Sequence, residues 1–271
     1  MVGIFLDSGA YSAWTKKVEI KIDDYIAFIK RYEKDIALYA NLDVIGDAEA
    51  SFQNQKYIES KGLKPLPCFH QGEDVKYLQH YISNYEYMAL GGMVGGSNRS
   101  LVLWLNDIFT NHICDKKGLP RIKIHGFGLT SIPLMVRYPW YSVDSTTYLL
   151  NSSWGIIFLP GKKNGKYSFL VSENRVSVSG RSPWTKDEGR HFQTLSKSEK
   201  QEVIRYVEEK GFIIGESTFN EEGEETVVVK GLCNDLRERI AFNSMFMADI
   251  EKALPQWPWA FKSILKKDLG L

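Results

Sequence analysis

Asp7 and Asp144 each stand where a short apolar run gives way to serine, and two carboxylates so placed suit a nucleophile and a proton-transfer partner. The first run, Val2-Gly3-Ile4-Phe5-Leu6, leads into Asp7-Ser8-Gly9-Ala10-Tyr11. The second, Trp140-Tyr141-Ser142-Val143, leads into Asp144-Ser145-Thr146. Between them other apolar runs end in polar or glycine-rich tips: Asn41-Leu42-Asp43, His70-Gln71-Gly72, Gly91-Gly92 and His125-Gly126-Phe127-Gly128. Chemistry at strand ends, with helices between the strands, is the pattern of a (β/α) barrel whose active site lies on its C-terminal face.

Each residue carries an ordinary reading beside the functional one. Asp7 with Ser8 could simply cap a turn, while Gly9 after them allows a sharp bend and close approach of a flat ligand. Asp144 with Ser145 could be an N-cap. Asn41 and Asp43 flank Leu42 and point the same way along a strand, so an amide and a carboxylate could meet the edge of a purine-like base; loop and cap roles compete. Gln71 suits a ligand contact, whereas His70 reads first as structural. Gly91 and Gly92 could offer backbone groups to a ligand. His125 and the glycines after it could line a pocket or bind phosphate, without the spacing of a dinucleotide fingerprint. Tyr11 and Trp14 could stack on a base or pack in a core. Lys162, Lys163 and Lys166, with Arg175, Arg181 and Lys186, are candidate phosphate contacts or a solvated charged face.

The elements that must position these groups alternate regularly up to about residue 150. Helical spacing covers Ile22 to Lys34, Ala48–Ser60 (stopped by Gly62), Tyr77 to Ile82, Leu101 to Cys114 and Ser131 to Arg137. Strands are expected at Ile36 to Leu42, Lys64 to Phe69, Glu86 to Leu90, Arg121 to His125 and Tyr141 to Asp144. After residue 150 the rhythm breaks. Two strands, Trp154 to Leu159 and Tyr167 to Val171, flank a basic loop at Lys162–Lys166, and 179–193 is polar and turn-rich. A helix from Ser196 to Lys210 opens on a Ser196/Glu199 capping box, Asn220–Glu225 is an acidic loop, and a last helix runs from Leu232 to Leu254. A single α/β domain is expected, a (β/α)8 TIM-type barrel irregular in its last third: 1–150 as recognisable core, 151–271 as divergent completion and C-terminal helices.

At 271 residues and 44% hydrophobic, the chain can bury one large core. A net charge of +1 excludes a strongly basic nucleic-acid binder, though not a local basic patch. Cys68, Cys114 and Cys233 are odd in number and far apart, which argues against a disulfide framework and for a reducing compartment. Their spacing makes no zinc motif, and Cys114 with His112 is an isolated pair. With no long apolar stretch and no signal-like leader, a soluble cytoplasmic protein is expected.

Taken in order, Asp7-Ser8-Gly9-Ala10-Tyr11, Gln71-Gly72, Ala89-Leu90-Gly91-Gly92-Met93-Val94-Gly95, His125-Gly126-Phe127-Gly128 and Val143-Asp144-Ser145 resemble the tRNA-guanine transglycosylase superfamily over about residues 2 to 150. The chain looks most like compact phage-type members that act on DNA, exchanging guanine for a 7-deazaguanine. The resemblance implies that Asp144 attacks the anomeric carbon and displaces guanine through a covalent glycosyl-enzyme. It implies that Asp7 is the general acid/base, and that Asp43, Gln71 and the backbone near Gly91 and Gly92 recognise the heterocycle. Retaining glycosidases use an ionised carboxylate in the same way, and the target base must leave the stack.

Three departures stand out. The three-cysteine, one-histidine zinc site of the tRNA enzymes is not reproduced, so no metal and no cofactor are expected. The chain enters directly at the Asp7 strand, so the strand that precedes it in the family is missing or supplied from the C-terminal part, and 151–271 aligns with nothing in it. These favour DNA over tRNA and leave room for a homodimer or an accessory protein that supplies nucleic-acid grip; a phage-encoded protein would work in the host cytoplasm. A barrel enzyme acting on a small nucleoside or sugar is the alternative, as is a binding module that has lost its chemistry.

Overall fold

The computed structural model describes residues 3–129, 131–171, 173–182 and 189–262. The chain divides into two compact units, one made of Met1–Leu129, Arg137–Asp144 and Trp257–Leu271, the other of Thr130–Val136 and Ser145–Gln256. The boundary at Asp144 lies close to the point where the sequence loses its strand–helix rhythm. The architecture is mixed α/β, and each unit has its own character.

In the first unit every strand is parallel to the next. β1 (Ile4–Leu6) pairs with β2 (Ile36–Tyr39), and an isolated parallel bridge between Ala40 and Leu66 carries the order onward. β3 (Cys68–His70), β4 (Tyr87–Gly91), β5 (Lys123–Gly126) and β6 (Ser142–Val143) then follow side by side in chain order. Parallel neighbours need crossovers, supplied here by α1 (Ala10–Lys16), α2 (Ile22–Arg31), α3 (Ala48–Ser60), α4 (Val75–Asn84) and α5 (Asn98–Ile108), the last extended by a π-type turn at Phe109–Ile113. α3 ends where its signals predict: Asp47 caps it through Ala50 N–H, and Gly62, at φ 82°, follows its end, whereas α2 stops at Arg31, three residues short of the expected Lys34. α1 is the exception, because the Asp-Ser-Gly tip reads as a loop; Gly9 at φ 74° turns the chain straight into a helix.

The sheet is curled. Phe5 on β1 and His125 on β5 meet with ring centroids 4.7 Å apart. In a flat sheet, strands four steps apart would be separated by roughly 19 Å.

The second unit contains α6 (Ile132–Arg137, save its last residue), α7 (Thr147–Ser153), β7 (Ile156–Leu159), β8 (Gly161–Lys163), β9 (Lys166–Ser168), β10 (Asn174–Ser177), α8 (Lys197–Glu209), β11 (Glu216–Phe219), β12 (Glu225–Val229) and α9 (Leu236–Ala253). Its strand pairs are all antiparallel. The two strands expected to flank the basic loop do not pair with each other. β7 takes β10 as its partner, and the loop is a small hairpin of its own, β8 to β9, turning on Asn164 (φ 53°) and Gly165 (φ 76°). Both residues have the positive φ that a tight hairpin requires. The acidic stretch forms the turn of a hairpin, β11 to β12, and the last helix starts at Leu236 because Asp235 caps it. The Ser196/Glu199 capping box forms as expected. Among the described residues no helix is long and apolar enough to cross a membrane.

A buried polar joint holds this unit together. Asn243 on α9 accepts from Phe158 N–H (2.9 Å) and donates to Ser152 Oγ (2.8 Å) and Ile156 O (3.0 Å), with no exposed surface. Asn243→Ala strands all three partners in the interior. It is expected to cost about 2–4 kcal/mol in urea unfolding; a loss under about 0.5 kcal/mol would mean the joint carries no such weight.

Candidate functional site

Side chains alternate along a strand, and one face of the curled sheet collects the reactive ones. Cys68 and His70 come from β3, Tyr87, Ala89 and Gly91 from β4, His125 from β5 and Ser142 from β6. The strand register sets His70 beside Gly91 and Ala89 beside His125. Two clusters form at the C-terminal ends.

The first is built on His125, which is buried. Its Nδ1 lies 2.6 Å from Ser142 Oγ, which is in turn 2.6 Å from Tyr87 Oη. Its Nε2 lies 3.3 Å from Asp144 Oδ1, close enough for an ion pair, though no well-directed hydrogen bond reaches that nitrogen among the described residues. The same Asp144 oxygen accepts Gly128 N–H at 2.8 Å. Gly128 sits at φ 61°, and the Asp144 N–H bonds back to Gly126 O (3.2 Å). The Asp144 side chain is nevertheless 53% exposed, so one carboxylate oxygen is anchored while the group faces solvent. Phe5 and Phe127 edge onto the His125 ring.

The second cluster gathers around His70. Glu73 grips it twice, its Oε2 accepting the His70 N–H (2.9 Å) and its Oε1 lying 3.2 Å from Nδ1. The ring's Nε2 faces Cys68 Sγ and Asp43 Oδ2, both 3.6 Å away. Asn41 Nδ2 donates to Asp43 Oδ1 (2.9 Å) and to Ser51 O (2.9 Å). Burial pushes the Asp43 carboxyl up to about 6, against the opposing pull of His70 and Asn41. Burial also pushes the Cys68 thiol up to about 12, so near neutrality it is uncharged. Burial disfavours a charged His70, yet its pKa is raised overall; with the thiol neutral, the carboxylates of Glu73 and Asp43 are what hold the imidazolium.

Asp7 is exposed at the end of β1 and accepts Gly9 N–H (3.3 Å), while buried Ser8 accepts Ala10 N–H (3.4 Å). Asp7 is near enough for its charge to add to the push on Asp43. Gln71 is exposed, its N–H reaching Gly91 O (3.4 Å), and Gly92 turns the chain beside it at φ 77°. Asn41 is buried with both Nδ2 donors spent on Asp43 and Ser51, while its Oδ1 has no partner among the described residues. Beside Asp43 lies a cleft of about 440 Å³ lined by Ala10, Ala13, Trp14, Leu42, Val44 and Asn54 among others, of the size that holds small ligands. A larger cavity of about 570 Å³, lined by Phe28, Tyr32 and Lys34, lies by the strand beginnings, away from these groups. Tyr11 and Trp14 are 51% and 57% exposed with rings 5.9 Å apart, so core packing does not explain them.

The basic candidates belong to the second unit. Lys162 pairs with Glu202 (2.6 Å), Arg175 with Glu173 (2.6 Å) and Arg181 with Glu225 (3.0 Å), whereas Lys163 and Lys166 are exposed. Lys186 lies outside the described residues.

Sequence reasoning overlooked Cys68, Glu73, Tyr87 and Ser142 as site residues. Cys68-Phe69-His70 does carry a signal, since residues two apart on a strand share a face. Asp43 joins them only through the fold, which is why linear spacing gave no metal motif; the three offer ligand atoms within 4.8 Å of one another.

Gly91 makes this packing possible: a Cβ there would lie 2.6 Å from His70 Cδ2 and 3.0 Å from Cys68 Sγ. Gly91→Ala is expected to destabilise the fold by about 1–3 kcal/mol in urea unfolding, because the ring is clamped by Glu73 and cannot swing aside cheaply. An unchanged midpoint would show the ring free to move.

No protein-family model matches the chain, and no curated protein or solved structure matches it.

Proposed function

We propose that this protein is a base-exchanging glycosyltransferase on a (β/α)8 TIM-type barrel, replacing guanine in a polynucleotide with a 7-deazaguanine. The observation that carries the reading is the state of Asp144: one oxygen held by Gly128 N–H with His125 Nε2 3.3 Å away, the carboxylate half-exposed at a parallel strand end. A nucleophile must be held in aim and still be reachable, and this group meets both demands. Asp7 occupies the corresponding end of β1, the strand whose Phe5 packs on His125.

In this reading Asp144 attacks C1′ of an unstacked nucleotide. The glycosidic C–N bond breaks as the new C–O bond forms, and guanine leaves with a proton from Asp7. The resulting glycosyl ester lasts until the incoming base attacks C1′ from the opposite side; Asp7 takes that base's proton and Asp144 leaves. Two displacements give net retention. The cleft lined by Asp43, Asn54 and Trp14 would receive the heterocycle, with Trp14 available for stacking; Gln71, Gly91 and Gly92, on the neighbouring strand ends, would complete its recognition. DNA is favoured over tRNA because the chain is compact and lacks the Cys3His spacing of the tRNA enzymes.

A free nucleoside as substrate is the second reading. It gains weight from the pairing of Lys162, Arg175 and Arg181 with carboxylates, which leaves fewer cations for phosphates.

Labelled guanine and a labelled 7-deazaguanine, offered with DNA and with tRNA, test the proposal. Label should enter DNA, and Asp144→Ala should lower the rate on the order of 10³-fold or more. Asp7→Asn should lower it by about 10²–10⁴-fold. Folded wild type that labels neither polymer but exchanges bases on free nucleosides would replace this reading with the second.

A further inference from the structure

We propose that Asp43, Cys68 and His70 form a binding site for one divalent transition-metal ion of the zinc type, an inference independent of base exchange. Tetrahedral zinc with ordinary bond lengths sets a sulfur and a nitrogen ligand about 3.6 Å apart and a nitrogen and an oxygen ligand about 3.4 Å apart. Cys68 Sγ and Asp43 Oδ2 each stand 3.6 Å from His70 Nε2. All three atoms lie within 4.8 Å of one another. Two of the three separations therefore match those a metal would impose, and the third lies within 4.8 Å.

The supporting groups point the same way. Glu73 sits on His70 Nδ1 at 3.2 Å and on its N–H at 2.9 Å, which directs the other ring nitrogen inward, as carboxylates behind metal-bound histidines do. Asn41 holds the second Asp43 oxygen at 2.9 Å, leaving Oδ2 turned to the cluster. The glycine at position 91 leaves the space in which ring and sulfur meet. One sulfur, one nitrogen and one oxygen suit zinc better than magnesium or calcium, which take oxygen ligands. Three protein ligands leave a fourth position for water or a bound molecule. On binding, the proton of the Cys68 thiol and any proton on His70 Nε2 pass to solvent as the S–metal and N–metal bonds form, with no change of oxidation state.

The test is titration of chelator-treated protein with Co²⁺, followed by displacement with Zn²⁺. One Co²⁺ per chain should bind, with a thiolate-to-cobalt charge-transfer band in the near ultraviolet that Zn²⁺ abolishes. Cys68→Ser should remove that band, whereas Cys114→Ser and Cys233→Ser should keep it. Asp43→Asn and His70→Gln should each weaken binding at least about 10-fold, and Glu73→Gln should weaken it about 10–100-fold while keeping the band. Circular dichroism of each metal-free variant checks that it is folded. Wild type that takes up no stoichiometric Co²⁺, or a band that survives Cys68→Ser, overturns the site. Loss of base exchange, measured separately, would leave it standing.

Discussion

The strand-end chemistry of the first unit depends on how closely the His70 ring lies over the backbone of β4. A side chain at position 91 would begin 2.6 Å from that ring, so the arrangement exists only because the residue there is glycine. With the space open, Glu73 can clamp the ring through Nδ1, and the opposite nitrogen is delivered to Cys68 and Asp43. Burying an imidazole among carboxylates is costly unless each polar atom has its partner. Here Glu73 uses both oxygens on one residue and Asn41 takes the free Asp43 oxygen, so the cluster is held rigidly with little surface exposed.

The same construction recurs two strands away with a different outcome. His125, like His70, has Nδ1 fixed by a neighbour (Ser142 in place of Glu73) and turns Nε2 toward an aspartate. The aspartates differ in their access to solvent. The Asp43 side chain is 8% exposed and Asp144 is 53% exposed. A group that must reach an anomeric carbon has to be the exposed one, whereas a group that organises a pocket floor or holds an ion benefits from enclosure. Position along the curled sheet, rather than residue type, sets this difference in access.

Much of this was legible in the residues. Strand-to-loop transitions are local events: Asp7, Gln71 and Asp144 directly follow β1, β3 and β6, Gly91 closes β4 and His125 is next to last in β5, whereas β2 stops at Tyr39 and leaves Asp43 four residues beyond it. The helices with clear caps were equally plain, α8 with its Ser196/Glu199 box above all. What escaped was whatever depends on partner choice. Nothing in Tyr167–Val171 says that β7 will prefer Asn174–Ser177, because pairing is decided by residues far apart in the chain. The Asn41–Asp43 pair looked like a ligand edge until Ser51, brought near by α3, claimed the amide. Cys68 and His70 were adjacent on paper but needed the end of β2 to supply Asp43.

The geometry of Asp43 limits what it can do at one time. Asn41 already directs Oδ1 and the cluster faces Oδ2, while each carboxylate oxygen keeps a second lone pair. If Oδ2 ligates an ion, the metal draws charge from the carboxylate and makes it a weaker acceptor for the N–H groups of a purine edge. The heterocycle would then be read by Gln71 and by the backbone at Gly92, both exposed, since Gly91 is buried and its carbonyl already accepts the Gln71 N–H. If it reads the base instead, Cys68 and His70 are left as a packed thiol and a clamped imidazolium beneath the pocket. Metal and base would therefore draw on the same carboxylate, and each is expected to weaken the other's hold on it.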